Sequence, residues 1–349
     1  MPEAVARAAA GAVPDEPAML VRNRARIVEQ MHATALPEST YAGRMAAYHM
    51  GWVDRDGRPT ASDPGKLIRS SLCVWACEAC GGTLERALPA AAALEWMHNF
   101  TLIHDDIQDG DRERRSRETV WSIWGSAQGI NAGDALHALA FTAIAAGGAQ
   151  PDRQLLAVRA LARAALEVIE GQCLDLNLEG RADTQPRTYL RMVQAKTGAL
   201  LGASLEVGAI VAGASEAVSK RFRLAGRRLG MAFQMRDDWL GMWGDPAITG
   251  KSVNGDVNRA KATYPVVAGY AAMTVFQQRR LRELFLSKVK KPALKIRELL
   301  QEAGGCELTR PAPGRFADKA AAVVARCGLS QGFYAEFLEV AHYVANRSR

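Results

Sequence analysis

Two acidic pairs, each set on an apolar helical stripe, limit what this chain can fold into. The first lies in Leu102-Ile103-His104-Asp105-Asp106-Ile107-Gln108-Asp109, at the end of an apolar-rich run from Ala90 to Ile103 that starts just after Pro89 and holds neither Pro nor Gly. Such a run reads as a helix. Residues four apart share a helical face, so Asp105 and Asp109 project side by side, one turn apart. The second pair closes Phe233-Gln234-Met235-Arg236-Asp237-Asp238, where Leu229, Phe233 and Asp237 recur every four residues. The apolar members of that stripe point into a core and take Asp237 inward with them. Carboxylates this close raise one another's pKa unless positive charge lies between them. A hard divalent cation with oxygen ligands, Mg²⁺ above all when a phosphate is present, meets that need. A solvated acidic helix end accounts for one such cluster, but poorly for two inward ones about 130 residues apart.

The rest of the chain repeats the helical pattern. Residues 1–17 are Ala-rich with Pro2, Pro14 and Pro17 and read as a flexible tail, and 18–349 as one all-helical catalytic domain. Helical pattern starts near Leu20 and breaks at Pro37, and Asp54 to Pro64 is a loop. Beyond Lys66, breaks fall near Gly81-Gly82, Gly110, Gly147-Gly148, Gly180 to Pro186, Gly213, Gly244 to Gly255, Pro292 and Gly304 to Pro313. Phe333, Phe337, Val340, Ala341 and Val344 form a last amphipathic helix with Ser330 placed to cap it. No convincing strand-period run and no repeat is present, so the fold class is all-α.

Composition narrows the function classes. The 349 residues carry 44 Lys and Arg against 37 Asp and Glu, a net charge of +7, with 48% hydrophobic residues for a large core. The basic runs Arg112 to Arg117 and Lys288 to Lys291 are short and lack interleaved aromatics, which argues against nucleic acid. Cys73, Cys77 and Cys80 fall on one helical face and read as small apolar residues, with no fourth ligand nearby for a metal. The start of the chain has no apolar core of signal-peptide length, and the greasiest stretch, Ala195 to Ala214, carries Lys196 and Glu206. The expectation is a cytoplasmic protein without stable membrane insertion.

Several cations are placed to meet phosphates. Lys66 and Arg69 follow the Pro64 loop in what reads as a first helical turn, where three-residue spacing lets both grip one anion. Lys196, in a Gly- and Ala-rich helix, is costly to bury unless an anion meets it. The segment from Gly244 to Pro265, rich in Gly, Asp, Asn and Lys, suits a lid that brings Lys251 over a substrate.

These motifs resemble those of the trans-isoprenyl diphosphate synthases, enzymes that elongate prenyl chains head to tail. His104 to Asp109 with Arg114-Arg115 looks like that family's first aspartate-rich motif, and Phe233 to Asp238 with Gly244-Asp245 and Gly250-Lys251 like its second. The resemblance runs from about Gly65 to Pro265. It implies the isoprenoid synthase fold, a bundle of long antiparallel helices around a deep cavity, in a homodimer. It implies three Mg²⁺ per site on Asp105, Asp109 and Asp237, supported by Asp106 and Asp238. Lys66, Arg69, His98 and Arg115 would hold isopentenyl diphosphate, while Arg114, Lys196 and Lys251 would hold an allylic diphosphate. Thr197 and Gln234 would face the carbocation.

Two departures stand out. Ser70 follows Arg69 where Pro is common, and Gly241 replaces a third Asp in the second motif. The alternatives are a terpene cyclase, which needs no isopentenyl site, and a non-catalytic partner subunit, which Gly241 would suit. An isoprene unit is about 5 Å long, near the ~5.4 Å helical pitch, so residues a turn before Asp105 form the cavity floor: Phe100 and Thr101, with Met97 deeper. A bulky Phe100 beside a small Thr101 resembles geranylgeranyl (C20) synthases of archaeal and actinobacterial type.

Overall fold

The computed structural model describes residues 16–60, 65–245, 259–286 and 293–348. It is built from α1 (Ala18–Val21), α2 (Arg24–Thr34), α3 (Tyr41–His49), α4 (Ile68–Ala79), α5 (Leu84–Asp109), α6 (Val120–Trp124), α7 (Ser126–Ala145) and α8 (Pro151–Leu178). There follow α9 (Pro186–Lys196), α10 (Gly198–Ala212), α11 (Glu216–Trp243), α12 (Tyr264–Ala272), α13 (Val275–Leu286), α14 (Ala293–Glu302), α15 (Gly305–Thr309), α16 (Ala312–Val324) and α17 (Gln331–Asn346). The all-helical expectation holds, and among the described residues only an isolated bridge between Val53 and Pro59 and one short hairpin depart from it. Glu113–Arg114 (β1) pairs antiparallel with Arg117–Glu118 (β2) in register Glu113↔Glu118 and Arg114↔Arg117. The two-residue turn between them places Arg115 and Ser116 at φ +53° and +59°, as a primed hairpin turn requires. Strands of two residues leave no period to read.

The centre is α10, whose residues from Gly198 to Val211 are all buried. A helix apolar all round belongs inside, and α4, α5, α8, α9 and α11 surround it. The greasy stretch that drew attention in the sequence is this core helix. No single described helix is long and apolar enough to cross a membrane; α9 and α10 reach that length only together, and they bend by 43°.

Close backbone approach sets the geometry around the bend. A Cβ on Gly230 of α11 would lie 2.6 Å from the Cα of Gly198, and one on Gly171 of α8 would lie 2.2 Å from the amide nitrogen of Lys196. Glycine is the residue that lets both helices press onto the α9–α10 junction. Lys196, Thr197 and Gly198 therefore sit at a break between helices, not within one helix as their composition suggests.

Two further boundaries differ from the sequence reading. Helix α5 starts at Leu84, capped by Thr83, whose side chain accepts from the Arg86 amide at 3.4 Å, so Pro89 lies inside it. Six residues past the cap, Pro forfeits the hydrogen bond to the carbonyl four residues back and crowds that carbonyl, a local cost a helix of 26 residues absorbs. Helix α4 starts at Ile68, after Gly65 at φ +83° and a left-handed Leu67 at φ +45°. Lys66 precedes the helix, and no shared helical face joins it to Arg69. Ser330 does cap α17, accepting from Phe333 at 3.5 Å, and Cys73 and Cys77 are wholly buried on α4.

Candidate active site

A cavity of about 480 Å³ runs between α4, α5, α7, α8, α9, α10 and α11. Asp105 from α5 and Asp237 from α11 line its mouth, together with Arg69, His98 and Lys196. Phe100, Thr101, Val168, Ile169 and Leu200 line its apolar depth. Two inward helical stripes thus bring carboxylates that are 132 positions apart in sequence to one opening.

The carboxylates are not equivalent. Asp106 is buried and bound by the Arg114 guanidinium, with Nε and Nη2 both 2.7 Å from its Oδ1. Burial nonetheless raises its pKa, against the lowering effect of Arg114. Asp238, also buried, accepts from the Tyr189 hydroxyl at 2.7 Å, the Gln234 amide at 2.9 Å and the Tyr264 backbone N–H at 2.8 Å. Both second members of the Asp-Asp pairs are thereby fixed in the scaffold. Asp105 and Asp109 instead meet lysines: Lys196 Nζ is 3.6 Å from Asp105, and Lys261 Nζ is 2.7 Å from Asp109. Burial raises the pKa of Asp105, and Asp109 pushes the same way against Lys196. The other oxygen of Asp109, Oδ1, is buried without a hydrogen-bond partner.

Asp237 accepts from Arg347 at 2.5 Å, and that guanidinium also lies 4.0 Å over the Phe233 ring. The chain's end therefore reaches the site. Thr197 donates to Gln234 at 2.7 Å, and Gln234 in turn donates to Asp238, so the α9–α10 junction is tied to α11 beside the cavity. Lys196 is bound to Asp175 at 2.7 Å; burial pulls its pKa down, but Asp105 and Asp175 outweigh this and raise it.

A second cluster lies at the α4 end. Arg69 is buried against the cavity with its Nε unpaired, and burial lowers its pKa against the opposing pull of Glu95 and Asp237. The Arg115 guanidinium, at the hairpin tip, would lie 3.5 Å from a Cβ on Gly65, which brings it beside Lys66; the Lys66 ammonium sits 5.6 Å from the centre of the Tyr343 ring. His98 is held well below the ordinary imidazole pKa, first by burial and then by Arg69, Arg115 and Arg114. It is a neutral hydrogen-bonding group at pH 7.

His49, 3.1 Å from Asn99, is lowered to about 3 by burial and then by Arg114, Arg115 and Arg117. An unfolded histidine titrates near 6.5, so the stability gained by keeping His49 neutral is complete above that pH and is lost as pH falls toward 3. Each unit in that window is expected to cost about 1.4 kcal/mol for this group. The thermal midpoint should fall between pH 6.5 and 5, and by less in His49→Gln; equal falls in both proteins would refute the assignment.

The structure leaves some expectations aside. Lys251 lies outside the described residues, as does most of the supposed lid. Arg114 is engaged with Asp106 and does not line the cavity. Of the floor residues, Phe100 and Thr101 line the cavity while Met97 is wholly buried in the core beside them. Asp245 is exposed.

Sequence reasoning missed Asp175, Lys261, Tyr189 and Arg347. Asp175 had a readable signal: Val168, Gly171, Asp175 and Leu178 form a buried helical stripe in which one member is an acid. Lys261 had none, because it precedes α12 in a polar segment.

The sequence profile of polyprenyl synthetases matches residues 52–303. The geranylgeranyl diphosphate synthase of Mycobacterium tuberculosis is 43% identical over 260 residues, 74% of each chain. The (2E,6E)-farnesyl diphosphate synthase of Mycobacterium bovis is 37% identical over 309 residues, covering 87% of this chain and 85% of its own. Among solved structures, a polyprenyl synthetase from Streptomyces coelicolor A3(2) superposes with a TM-score of 0.87 at 35% identity, over 94% of this chain and 99% of its own. On the site's geometry and these matches together, the chain belongs to the polyprenyl synthetase family and is a trans-prenyltransferase.

Proposed function

We propose that this enzyme condenses an allylic diphosphate with isopentenyl diphosphate, head to tail, and that its product is geranylgeranyl diphosphate. The observation that carries this reading is the cavity itself, which has carboxylates and cations at its mouth and an apolar depth. Asp105, Asp109 and Asp237 are the groups to hold Mg²⁺. The donors are hard oxygens, and Asp109 keeps one buried oxygen without a partner. Among the described residues no group of three or more acidic, His or Cys side chains is preassembled for a metal, so substrate phosphate oxygens would have to complete the coordination of such ions. Such ions supply charge neutralisation as the allylic C–O bond breaks.

The chain's own groups do the rest. Lys196 and Lys261 lie where the leaving diphosphate's charge develops, as Lys251 would in the family's pattern. Arg69, with its unpaired Nε, takes the isopentenyl diphosphate with Lys66 and Arg115, and neutral His98 adds a hydrogen bond rather than a charge. Thr197 and Gln234, tied to each other and to Asp238, present oxygen dipoles toward the carbocation. Phe100, Val168, Ile169 and Leu200 keep water from it. The departing diphosphate is the base for the last proton.

The C20 product follows from Phe100 and Thr101 closing the cavity one turn below Asp105. The relatives named above include both a geranylgeranyl and a farnesyl synthase, so length must come from this chain's own floor. Leu155 and Leu166 of α8 are 59% and 69% exposed, an apolar face suited to a second copy. Light scattering that gave the mass of one chain would refute a homodimer.

Product analysis tests the reaction. With Mg²⁺, labelled isopentenyl diphosphate and C5, C10 or C15 allylic diphosphates, a C20 alcohol is expected after dephosphorylation. Another length would keep the reaction and discard the floor. Loss of allylic substrate without condensation would point to a cyclase, and inertness to a partner subunit.

A further inference from the structure

Asp175 occupies a place that the reaction just described does not use. It lies on α8, 8% exposed, and like Asp109 and Lys261 it is not among the residues that line the cavity. Its Oδ2 is 2.7 Å from Lys196 Nζ and 3.7 Å from Lys261 Nζ. Each lysine also meets one carboxylate of the first acidic motif, Lys196 with Asp105 at 3.6 Å and Lys261 with Asp109 at 2.7 Å. The result is a row of alternating charge, Asp105, Lys196, Asp175, Lys261, Asp109, delivered by four separate chain segments. Gly171, one turn before Asp175, brings α8 onto the Lys196 backbone and so puts the carboxylate within reach.

The row poses an electrostatic problem. Lys196 and Lys261 side chains are only 21% and 11% exposed, and two ammonium groups this buried and this close need anions. Once Asp105 and Asp109 are committed to a divalent cation, those two anions no longer serve the lysines. Asp175 is the carboxylate left that acts on both, since Glu179 lies near Lys261 but not near Lys196. It holds both ammonium groups in place at the moment a diphosphate arrives.

We propose that Asp175 is a positioning residue, the shared counter-ion through which Lys196 and Lys261 are held for the allylic diphosphate and its divalent ions. The proposal rests on the prenyl-transfer reading of the site.

Calorimetric titration of the full chain with inorganic diphosphate in the presence of Mg²⁺ tests it without turnover. Asp175→Asn is expected to weaken binding about tenfold, and Lys261→Met by a similar factor. The double variant should bind no more than about twofold worse than the weaker single, because both changes break one arrangement. Asp175→Glu should recover part of the affinity. In steady-state assays KM for the allylic diphosphate should rise while KM for isopentenyl diphosphate stays within about twofold.

Unchanged binding in Asp175→Asn, additive losses in the double variant, or equal rises in both KM values would overturn the proposal. If Asp175→Asn does not fold, Asp175→Glu against Lys261→Met closes the same comparison. Failure of the unsubstituted protein to bind diphosphate with Mg²⁺ would instead overturn the reading of the whole site.

Discussion

Asp109→Asn is expected to lower kcat by about 10²–10³-fold, the range typical for loss of one preorganised electrostatic group. The substitution is nearly isosteric, so the loss reports charge. One oxygen of Asp109 is bound to Lys261 and the other is buried and unpaired, which marks this carboxylate as incomplete without a further ligand. Removing its charge takes away a cation-binding group and leaves a buried ammonium with less compensation. The Mg²⁺ concentration needed for half-maximal activity should rise with it. Circular dichroism and the thermal midpoint serve as the folding control. A folded variant within about tenfold of the parent's kcat would remove Asp109 from the reaction. Asp106→Asn makes a useful contrast, since Asp106 is already engaged by Arg114; its main effect should appear in the placement of the hairpin.

Phe100→Ala should lengthen the product by one or more isoprene units. Phe100 lines the cavity one turn before the carboxylates and is 7% exposed, so its removal opens depth at the end of the growing chain. One helical turn is about 5.4 Å, close to an isoprene unit, and makes a shift of at least C5 the expected step. The new limit would be His137, whose ring lies 4.8 Å from that of Phe100 and which also lines the cavity. Burial lowers its pKa, so near neutrality it adds bulk without charge. Thermal stability should fall by a few kcal/mol at most, as for other large-to-small changes at buried sites. An unchanged product spectrum from a folded, active variant would dismiss Phe100 as the floor and redirect attention to α8, whose Val168 and Ile169 form another wall.

Much of the architecture was legible in the chain because helical faces are periodic. The stripe Leu229, Phe233, Asp237 placed an acid on an inward face, and the i, i+4 spacing of Asp105 and Asp109 placed two more on another. Gly110, left-handed at φ +67°, ended α5 where its position implied. Pro89 misled because a long helix that keeps its other hydrogen bonds and its packing can carry one interior proline, so proline need not mark a boundary. The β1–β2 hairpin was invisible, since two-residue strands carry no pattern. Yet that hairpin is what turns Arg114 back onto Asp106 and carries Arg115 over to Gly65.

The sequence by itself determined the fold class and the inward faces that carry Asp105, Asp109 and Asp237, because these are written in residue spacing along single helices, and the order of its motifs pointed to the family. Only the tertiary structure decided how those groups pair. Asp106 and Asp238 are bound into the scaffold while Asp105 and Asp109 face lysines, and Asp175, Lys261 and Arg347 join them from remote segments. Periodicity shows which way a side chain points on its own element. It does not show which side chain from another element will meet it, since that depends on how closely the helices approach, and here glycines such as Gly171 and Gly230 set that approach.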